Sequence, residues 1–169
     1  MQNINFKNEY TLEEAWRYFA NAKETLLKSP IEYGRYSDSK YVREAAGIGY
    51  LAALKALDVY FVSKGIDKTK LPKSIEGYFD FIRKYIPLNG KLYAAMNIAY
   101  ENLHILAYYR GGTAILMVKE GFENVKKIIE LMSLFMNKRG TNPFPGRVNE
   151  DAVVYRRMRA GKRKKNQAQ

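Results

Sequence analysis

The sequence predicts an all-α fold, a bundle of about five helices followed by a basic C-terminal extension. Apolar residues recur at helical spacing over most of the 169 residues, and no segment shows the alternation of a half-buried strand. The 47% hydrophobic content is that of a globular chain, and the length suits one domain. We therefore divide the chain into a helical bundle, residues 1–138, and a linker with a basic tail, residues 139–169, in which residues 150–160 have the pattern of a short helix.

The first two helices have recognisable ends. Helix one is predicted over residues 11–28, because T-L-E-E at its start is a capping box and Ser-Pro follows its end. The next segment, IEYGRYSDS, is predicted to be a loop. Helix two is predicted over residues 39–64 and stops at Gly65, a residue type favoured just after a helix. Its small-residue face lets another helix approach closely.

Three further helices complete the predicted bundle. The third starts near Pro72 and ends before Pro87, and the fourth spans residues 90–110 and is closed by a Gly-Gly pair. The fifth covers residues 114–136, where Gly121 lowers the helix propensity and is compatible with a break. The inward stripes of the first and fifth helices include Leu27 and Leu116.

Composition excludes several classes of function. The chain has no cysteine and one histidine, which excludes a disulfide framework, a thiolate nucleophile and the common zinc sites. We expect neither a metal nor a cofactor. The N-terminus lacks the pattern of a signal peptide, and no stretch approaches about 18 uncharged apolar residues. We therefore expect a cytoplasmic protein without a membrane partner.

The segment G-I-G-Y-L-A, residues 47–52, matches a dinucleotide fingerprint in its letters. The fingerprint requires a preceding strand and a helix that opens at the glycines. Here the preceding residues are charged and helical, and the helix continues beyond the motif. We interpret these glycines as sites of close helix packing.

The single histidine, His104, lies on the fourth predicted helix. Asn97, Glu101, His104 and Tyr108 share one face of an α-helix, and Glu101 could hold the imidazole so that it acts as a general base. A polar seam at the surface or at a subunit interface explains the same residues, and we favour it because one histidine beside one carboxylate is common. No catalytic residue is assigned.

Tyrosines and cations alternate around the first loop. Tyr33, Tyr36 and Tyr41 lie close in sequence to Arg35, Lys40 and Arg43. Aromatic faces among cations can stack bases and hold phosphates. Tyrosine and arginine are equally suited to a dimer interface. The sequence does not distinguish these interpretations.

The basic tail is the strongest functional signal. Residues 137–169 contain ten Lys or Arg and two acidic residues, a net charge of +8 out of +12 for the whole chain. Such a run binds polyanions by releasing counterions, without reading sequence. The candidate nucleic-acid-binding residues are Arg156, Arg157, Arg159, Lys162, Arg163, Lys164 and Lys165.

The layout resembles the HEPN-like helical bundles, a superfamily that includes small bacterial proteins of unassigned function. The resemblance rests on AWRYFANAKETLL, REAAGIGYLAALKALDVYFVSKG, AYENLHILAYYRGG and GFENVKKIIELM, and it covers residues 10–136. It implies a dimer and, for several members, a metal-independent ribonuclease whose arginine precedes a histidine by four to six residues. Residues 98–100, where that arginine would fall, are Ile, Ala and Tyr. The resemblance therefore assigns no catalytic residue here.

These observations predict a non-catalytic, dimeric helical bundle that binds RNA or a ribonucleoprotein through its tail. One alternative is a protein–protein interaction module or a structural subunit of a larger assembly. A second alternative is a degenerate HEPN-type ribonuclease of a toxin–antitoxin system, using His104, Glu101 and Tyr108.

Overall fold

The computed structural model describes residues 10–137, and within them the prediction of an all-α bundle is confirmed. A π-helical segment, Tyr100–Tyr109, continues the fourth helix, and a 3-10 turn, Lys68–Lys70, precedes the third. The basic tail and the short helix predicted at residues 150–160 lie outside the described residues. The α-helices are α1 (Leu12–Leu26), α2 (Ser39–Ser63), α3 (Ile75–Tyr85), α4 (Gly90–Ala99) and α5 (Ile115–Asn137).

Side-chain caps determine where two of these helices begin. The Thr11 hydroxyl accepts the backbone N–H of Glu14 at 3.2 Å, as the capping box predicts. The prediction that helix three starts near Pro72 is wrong by three residues. The Ser74 hydroxyl accepts the N–H of Gly77 at 3.2 Å, and α3 starts at the next residue. A capping hydroxyl defines a helix start more strongly than a nearby proline does, because it satisfies an N–H group that has no partner within the helix.

Helix α2 lies at the centre and packs against α1, α5 and the π segment. A Cβ atom at Gly49 would lie 2.7 Å from Cε1 of Phe122, and one at Gly47 would lie 3.2 Å from Cδ2 of Tyr108. The interpretation of these glycines as sites of close packing is confirmed. Among residues 10–137, α2 is also the one helix long and apolar enough to cross a membrane, and 61% of its apolar window is buried inside the bundle.

Helix α5 runs through Gly121 without the break that its composition allowed. Gly121 is buried, and a Cβ atom there would lie 2.6 Å from Cδ2 of Leu103, which is itself fully buried. The glycine therefore allows α5 to lie close against the π segment. Tertiary packing keeps the helix continuous where the local propensity is weak.

A small hairpin occupies part of the segment predicted as a loop. Strands β1 (Ile31–Glu32) and β2 (Arg35–Tyr36) pair antiparallel around Tyr33 and Gly34, both of which have positive φ, as in the two-residue turns that suit hairpins. The N–H of Tyr36 donates to the carbonyl of Thr113 at 3.0 Å. The hairpin therefore joins the start of α2 to the start of α5.

Two leucines of the predicted inward stripes are at the surface. Leu27 and Leu116 are each 83% exposed, so their assignment to the core is wrong. Leu27 follows the last residue of α1, and Leu116 is the second residue of α5, so both lie at helix ends. There the packed neighbours that cover the middle of a helix are missing.

We predict that Gly121→Ala destabilises the protein although alanine is the better helix former. Alanine contributes about 1 kcal/mol of helix propensity. Overpacking against Leu103 costs about 1 to 3 kcal/mol, so the free energy of unfolding falls or at best stays level. Urea unfolding followed by circular dichroism measures it. Gly90→Ala is the matched control, because a Cβ atom at Gly90 meets nothing within 4 Å. A variant Gly121→Ala stabilised as much as Gly90→Ala would contradict the close approach.

Candidate functional site

The π segment arranges three rings in a column. The ring centroid of His104 lies 5.4 Å from that of Tyr100 and 5.8 Å from that of Tyr108, with interplanar angles of 23° and 20°. Hydrogen bonds of a π-helix span five residues, as from the N–H of Arg110 to the carbonyl of Ile105. A turn then contains more residues than an α-helical turn, and side chains four apart lie more nearly above one another. Segments of this kind are rare and frequently occur at functional sites.

The change of helix type rearranges the predicted polar seam. His104 and Tyr108 are brought together, but Asn97 and Glu101 are exposed. Within residues 10–137, His104 has neither a hydrogen bond nor an ion pair with Glu101. Its neighbours are aromatic instead, and a fourth ring, that of Tyr50, lies 4.8 Å away at 33°. Glu101 therefore does not orient the imidazole in this structure.

The C-terminal end of the π segment is fixed by Arg43 of α2. Its guanidinium donates to the carbonyls of Tyr108 and Tyr109, at 3.1 and 3.3 Å. Gly111 has a φ of 73°, and a Cβ atom there would lie 2.5 Å from the Arg43 guanidinium. The predicted closure by the Gly-Gly pair is confirmed, and it leaves room for an arginine cap.

A cavity of about 360 Å³ opens beside the ring column. Tyr50 and Leu54 of α2 line it on one side, and Tyr100 and His104 line it on another. The start of α3 completes it with residues 73–76 and Tyr78. Its size is in the range of small-molecule sites, about 300 to 1,000 Å³. The cavity is therefore a candidate binding site.

Tyr50 is a largely buried residue that lines this cavity. The residue is 7% exposed, and its hydroxyl has no hydrogen-bond partner among the described residues. No fully buried side-chain oxygen or nitrogen in residues 10–137 lacks a partner, so this hydroxyl keeps accessible surface. Burial raises its pKa, and the nearby Tyr100 and Glu76, which also line the cavity, raise it further. The hydroxyl of this cavity-lining residue is thus available for a hydrogen bond.

A carboxylate lies behind the cavity wall. The Tyr78 hydroxyl donates to Asp58 at 2.9 Å. Burial raises the pKa of Asp58 to about 6, although the Tyr78 hydrogen bond and the charge of Lys55 act in the opposite direction. Burial also raises the pKa of Tyr78, and the carboxylate adds to this increase. An ionised carboxyl group near the cavity is therefore costly in the folded state.

The tyrosine–cation cluster of the first loop separates in the structure. Tyr33 is 102% exposed at the hairpin tip, whereas Tyr36 is 7% exposed and belongs to the core. The ammonium groups of Lys40 and Lys28 lie 5.6 and 5.9 Å from the Tyr41 ring centroid. Arg35 is exposed, and Arg43 caps the π segment. Tyr36 and Arg43 therefore contribute to the fold, whereas Tyr33 and Arg35 lie at the surface.

The seven predicted nucleic-acid-binding residues, between 156 and 165, lie outside the described residues. Within residues 10–137, no group of three or more His, Cys, Asp or Glu side chains could hold a metal ion.

Of the residues that line the cavity, the sequence singles out only His104 as a site candidate. Tyr50 falls within the glycine motif, and Asp58, behind the cavity wall, belongs to no motif. Two signals were present. One is a lone carboxylate in the apolar run ALDVYF, and the other is the spacing Tyr-x3-His-x3-Tyr from residue 100 to residue 108. The carboxylate in the apolar run indicates a buried acid. The Tyr-x3-His-x3-Tyr spacing indicates that the three rings stack only if the helix is wider than an α-helix.

Comparison with known proteins identifies a family but no activity. The model of a family described as a domain of unknown function, DUF5618, matches residues 10–133. A solved structure of a protein of unknown function from Dyadobacter fermentans is 35% identical, with a TM-score of 0.63. The match covers 72% of this chain and 92% of that one. A search of curated proteins found no match.

We predict that Asp58→Asn stabilises the protein at neutral pH. The folded pKa of Asp58, about 6, exceeds its ordinary value of 3.8, so the folded state binds the extra proton between these pH values. The wild type therefore loses stability as pH rises from about 4 to about 6. After allowance for partial exposure, the loss is about 1 to 2 kcal/mol. Urea unfolding at pH 3.5 and pH 7 measures it, and the advantage of the variant should disappear at the lower pH.

Asp67→Asn is the matched control for this substitution. Hydrogen bonds from Thr69 lower the pKa of Asp67, so removal of its charge should not stabilise the protein at pH 7. Equal stabilisation by both substitutions would contradict a specific effect of burial at Asp58 and would indicate a general effect of net charge.

Proposed function

We propose that this chain, which belongs to the DUF5618 family, is a non-catalytic protein that binds RNA or a ribonucleoprotein through its basic C-terminal tail. The proposal includes a cytoplasmic location and a HEPN-like bundle without the Arg–His nuclease motif.

The uneven distribution of charge carries this proposal. Residues 10–137 contain 18 Lys or Arg and 14 Asp or Glu, a net charge of +4. Residues 137–169 hold +8 in a quarter of that length, and seven cations fall between residues 156 and 165. Contacts of Lys and Arg side chains with phosphates position a protein on a nucleic acid and carry no sequence information. We therefore expect binding without base preference.

The surroundings of His104 support the non-catalytic part of the proposal. A general base needs an acceptor nitrogen within reach of its substrate and a group that orients the ring. In the described residues the imidazole is stacked between two tyrosines and has no hydrogen bond to a carboxylate. Stacking of this kind explains the histidine as part of the structure.

A second candidate function is association through the hairpin face, which we define as Tyr33 and Leu116 with the neighbouring backbone. Their exposed fractions are 102% and 83%. The N–H of Ile115 donates to the carbonyl of Gly34 at 3.3 Å, so the hairpin tip and the start of α5 are adjacent. Large apolar side chains grouped at a surface are typical of protein interfaces. This observation favours homodimerisation or binding to a partner protein.

We predict that RNA binding is salt-dependent and requires the tail. Each phosphate contact contributes about 0.7 to the slope of log affinity against log salt for a single strand. The variant R156Q/R157Q/R159Q should therefore lose about 2 units of slope if all three residues contact phosphates. Fluorescence anisotropy with a labelled single-stranded RNA over a range of salt concentrations measures the slope.

The matched control removes three exposed cations from the bundle, as K70Q/K119Q/K127Q. It should leave the slope nearly unchanged, and equal losses in both variants would contradict a role specific to the tail. The length of the RNA is checked after each titration. Cleavage that disappears in His104→Ala would support the ribonuclease alternative instead.

We predict that the full chain is a dimer and that Y33S/L116S makes it a monomer, because the two substitutions replace large exposed apolar groups of the hairpin face with small polar ones. Sedimentation velocity measures the mass of each species. Leu88→Ser is the control, since Leu88 is 58% exposed and lies outside this face. A monomeric wild type, or a double variant that remains dimeric, would exclude this interface.

A further inference from the structure

Three rings that line the cavity pack against one another, and we call Tyr50, Tyr100 and His104 the ring triad. The ring centroid of His104 lies 4.8 Å from that of Tyr50 and 5.4 Å from that of Tyr100, and the two tyrosine centroids are 6.0 Å apart. Because the ring faces are used in this packing, the groups left for a ligand are the polar atoms at the ring edges. These are two phenol hydroxyls and the imidazole nitrogens.

The polar atoms of the ring triad have no partner in residues 10–137. None of the three side chains forms a hydrogen bond there, although all are at least partly buried and Tyr50 is only 7% exposed. No fully buried side-chain nitrogen or oxygen in that part of the chain lacks a partner, so these atoms keep accessible surface. A partly buried polar group without a partner is unfavourable, and water or a ligand that bonds to it removes that cost.

A carboxylate lies beside the ring triad. Glu76, in the first turn of α3, lines the cavity and forms neither a hydrogen bond nor an ion pair among the described residues. Burial raises the pKa of the Tyr50 hydroxyl, and the nearby Tyr100 and Glu76 raise it further, so the three polar groups are close together. A carboxylate has two acceptor oxygens and can therefore accept hydrogen bonds from two neighbouring hydroxyls of one ligand.

The other groups around the cavity favour an uncharged ligand. Lys73 and Glu76 both line it, so the two exposed charges of the lining cancel. An anion would approach both Glu76 and Asp58, which accepts the Tyr78 hydroxyl behind the wall. A cation would find the ring faces covered by their mutual packing and one solvent-screened carboxylate as its partner. Neither kind of ion gains enough there to offset the loss of its hydration.

We propose that this cavity binds a neutral monosaccharide, whose hydroxyl groups form hydrogen bonds with the ring triad and with Glu76. Two neighbouring sugar hydroxyls donate to the carboxylate, and the C–H groups of the sugar contact Leu54 and Ile75, which also line the cavity. The volume of about 360 Å³ is at the small end of the range for small-molecule sites, as suits a single sugar ring. This proposal does not depend on RNA binding by the tail.

Hydrogen-bonding capacity distinguishes a sugar from other neutral ligands. A hydroxyl group both donates and accepts, as do the tyrosine hydroxyls, and an imidazole has two nitrogens that form hydrogen bonds. A sugar has such groups around its whole ring. A planar amide has donors and acceptors along one edge only, so it would leave several atoms of the ring triad without a partner.

The first experiment is isothermal titration calorimetry of the full chain with D-glucose, D-galactose, D-mannose, D-xylose and D-ribose. Cyclohexanol, a ring with one hydroxyl, and glucosamine, a cationic sugar, are the comparison compounds. We expect at least one neutral sugar to bind at millimolar concentration and cyclohexanol to bind about tenfold more weakly or worse, because it lacks the additional hydrogen bonds. No binding of any of the five sugars, equal binding of cyclohexanol, or tighter binding of glucosamine than of every neutral sugar would overturn the proposal.

Tyr50→Phe tests the buried hydroxyl, because it removes that group and keeps the ring. Since the hydroxyl has no partner among the described residues, the free energy of unfolding should stay level or rise. The affinity for the sugar that binds best should fall about fivefold. The control is Tyr18→Phe, which removes the hydroxyl of a half-buried tyrosine of α1 outside the cavity and should leave the affinity unchanged. An unchanged affinity in Tyr50→Phe, or a destabilised Tyr50→Phe protein, would contradict the assigned role of this hydroxyl.

Glu76→Gln tests the carboxylate at an exposed position, where the substitution does not disturb the core. It replaces one acceptor oxygen by a donor, so the affinity for the sugar should fall about fivefold. The control Glu123→Gln removes an exposed carboxylate of α5 and should change nothing. A wild-type affinity in Glu76→Gln, or equal losses in both variants, would exclude a hydrogen bond between this carboxylate and the sugar.

The same titration with R156Q/R157Q/R159Q separates this proposal from the function of the tail. Sugar affinity should equal that of the wild type even if RNA binding is lost. Loss of sugar binding in this variant would show that the tail binds the sugar and would overturn the cavity assignment.

Discussion

The fold depends on the close contact of α2 and α5 with the π segment. Two glycines make this contact possible. Gly49 leaves room for the Phe122 ring, and Gly121 leaves room for Leu103. Because interiors are packed as densely as crystals, the three elements cannot shift independently. The positions of Tyr50 on α2 and of Tyr100 on the π segment follow from that contact. The candidate site is therefore built by packing at positions that do not line it.

The π segment connects this packing to the chemistry of the site. It stacks Tyr100, His104 and Tyr108 along one side, and Arg43 holds its last carbonyls from α2. In an α-helix, side chains four residues apart are rotated further from one another about the helix axis. The same sequence in an α-helix would therefore direct these rings differently. The widened helix and its arginine cap thus hold in place the segment whose Tyr100 and His104 line the cavity.

The sequence predicted the helices, most of their ends and the close approach of another helix to the small-residue face of α2, because capping residues, terminal glycines and apolar spacing are local signals. It did not predict the helix type after Ala99 or the cavity. Both depend on contacts between residues far apart, such as Arg43 with Tyr108, which no window of the sequence contains. The exposure of Leu116 has a similar cause, since the pattern marks the residue as apolar while the end of α5 leaves it uncovered.

The hairpin has a consequence for how the bundle opens. Two strands of two residues are not stable by themselves. Here they are held by backbone hydrogen bonds to Thr113 and Ile115, and closing the chain between residues 35 and 114 carries an entropic cost that only a largely assembled bundle offsets. The Tyr36 amide is therefore a natural reporter of cooperativity. If its hydrogen exchanges no faster than those in the middle of α2, the bundle opens as one unit, with no separate motion of the segment between α1 and α2.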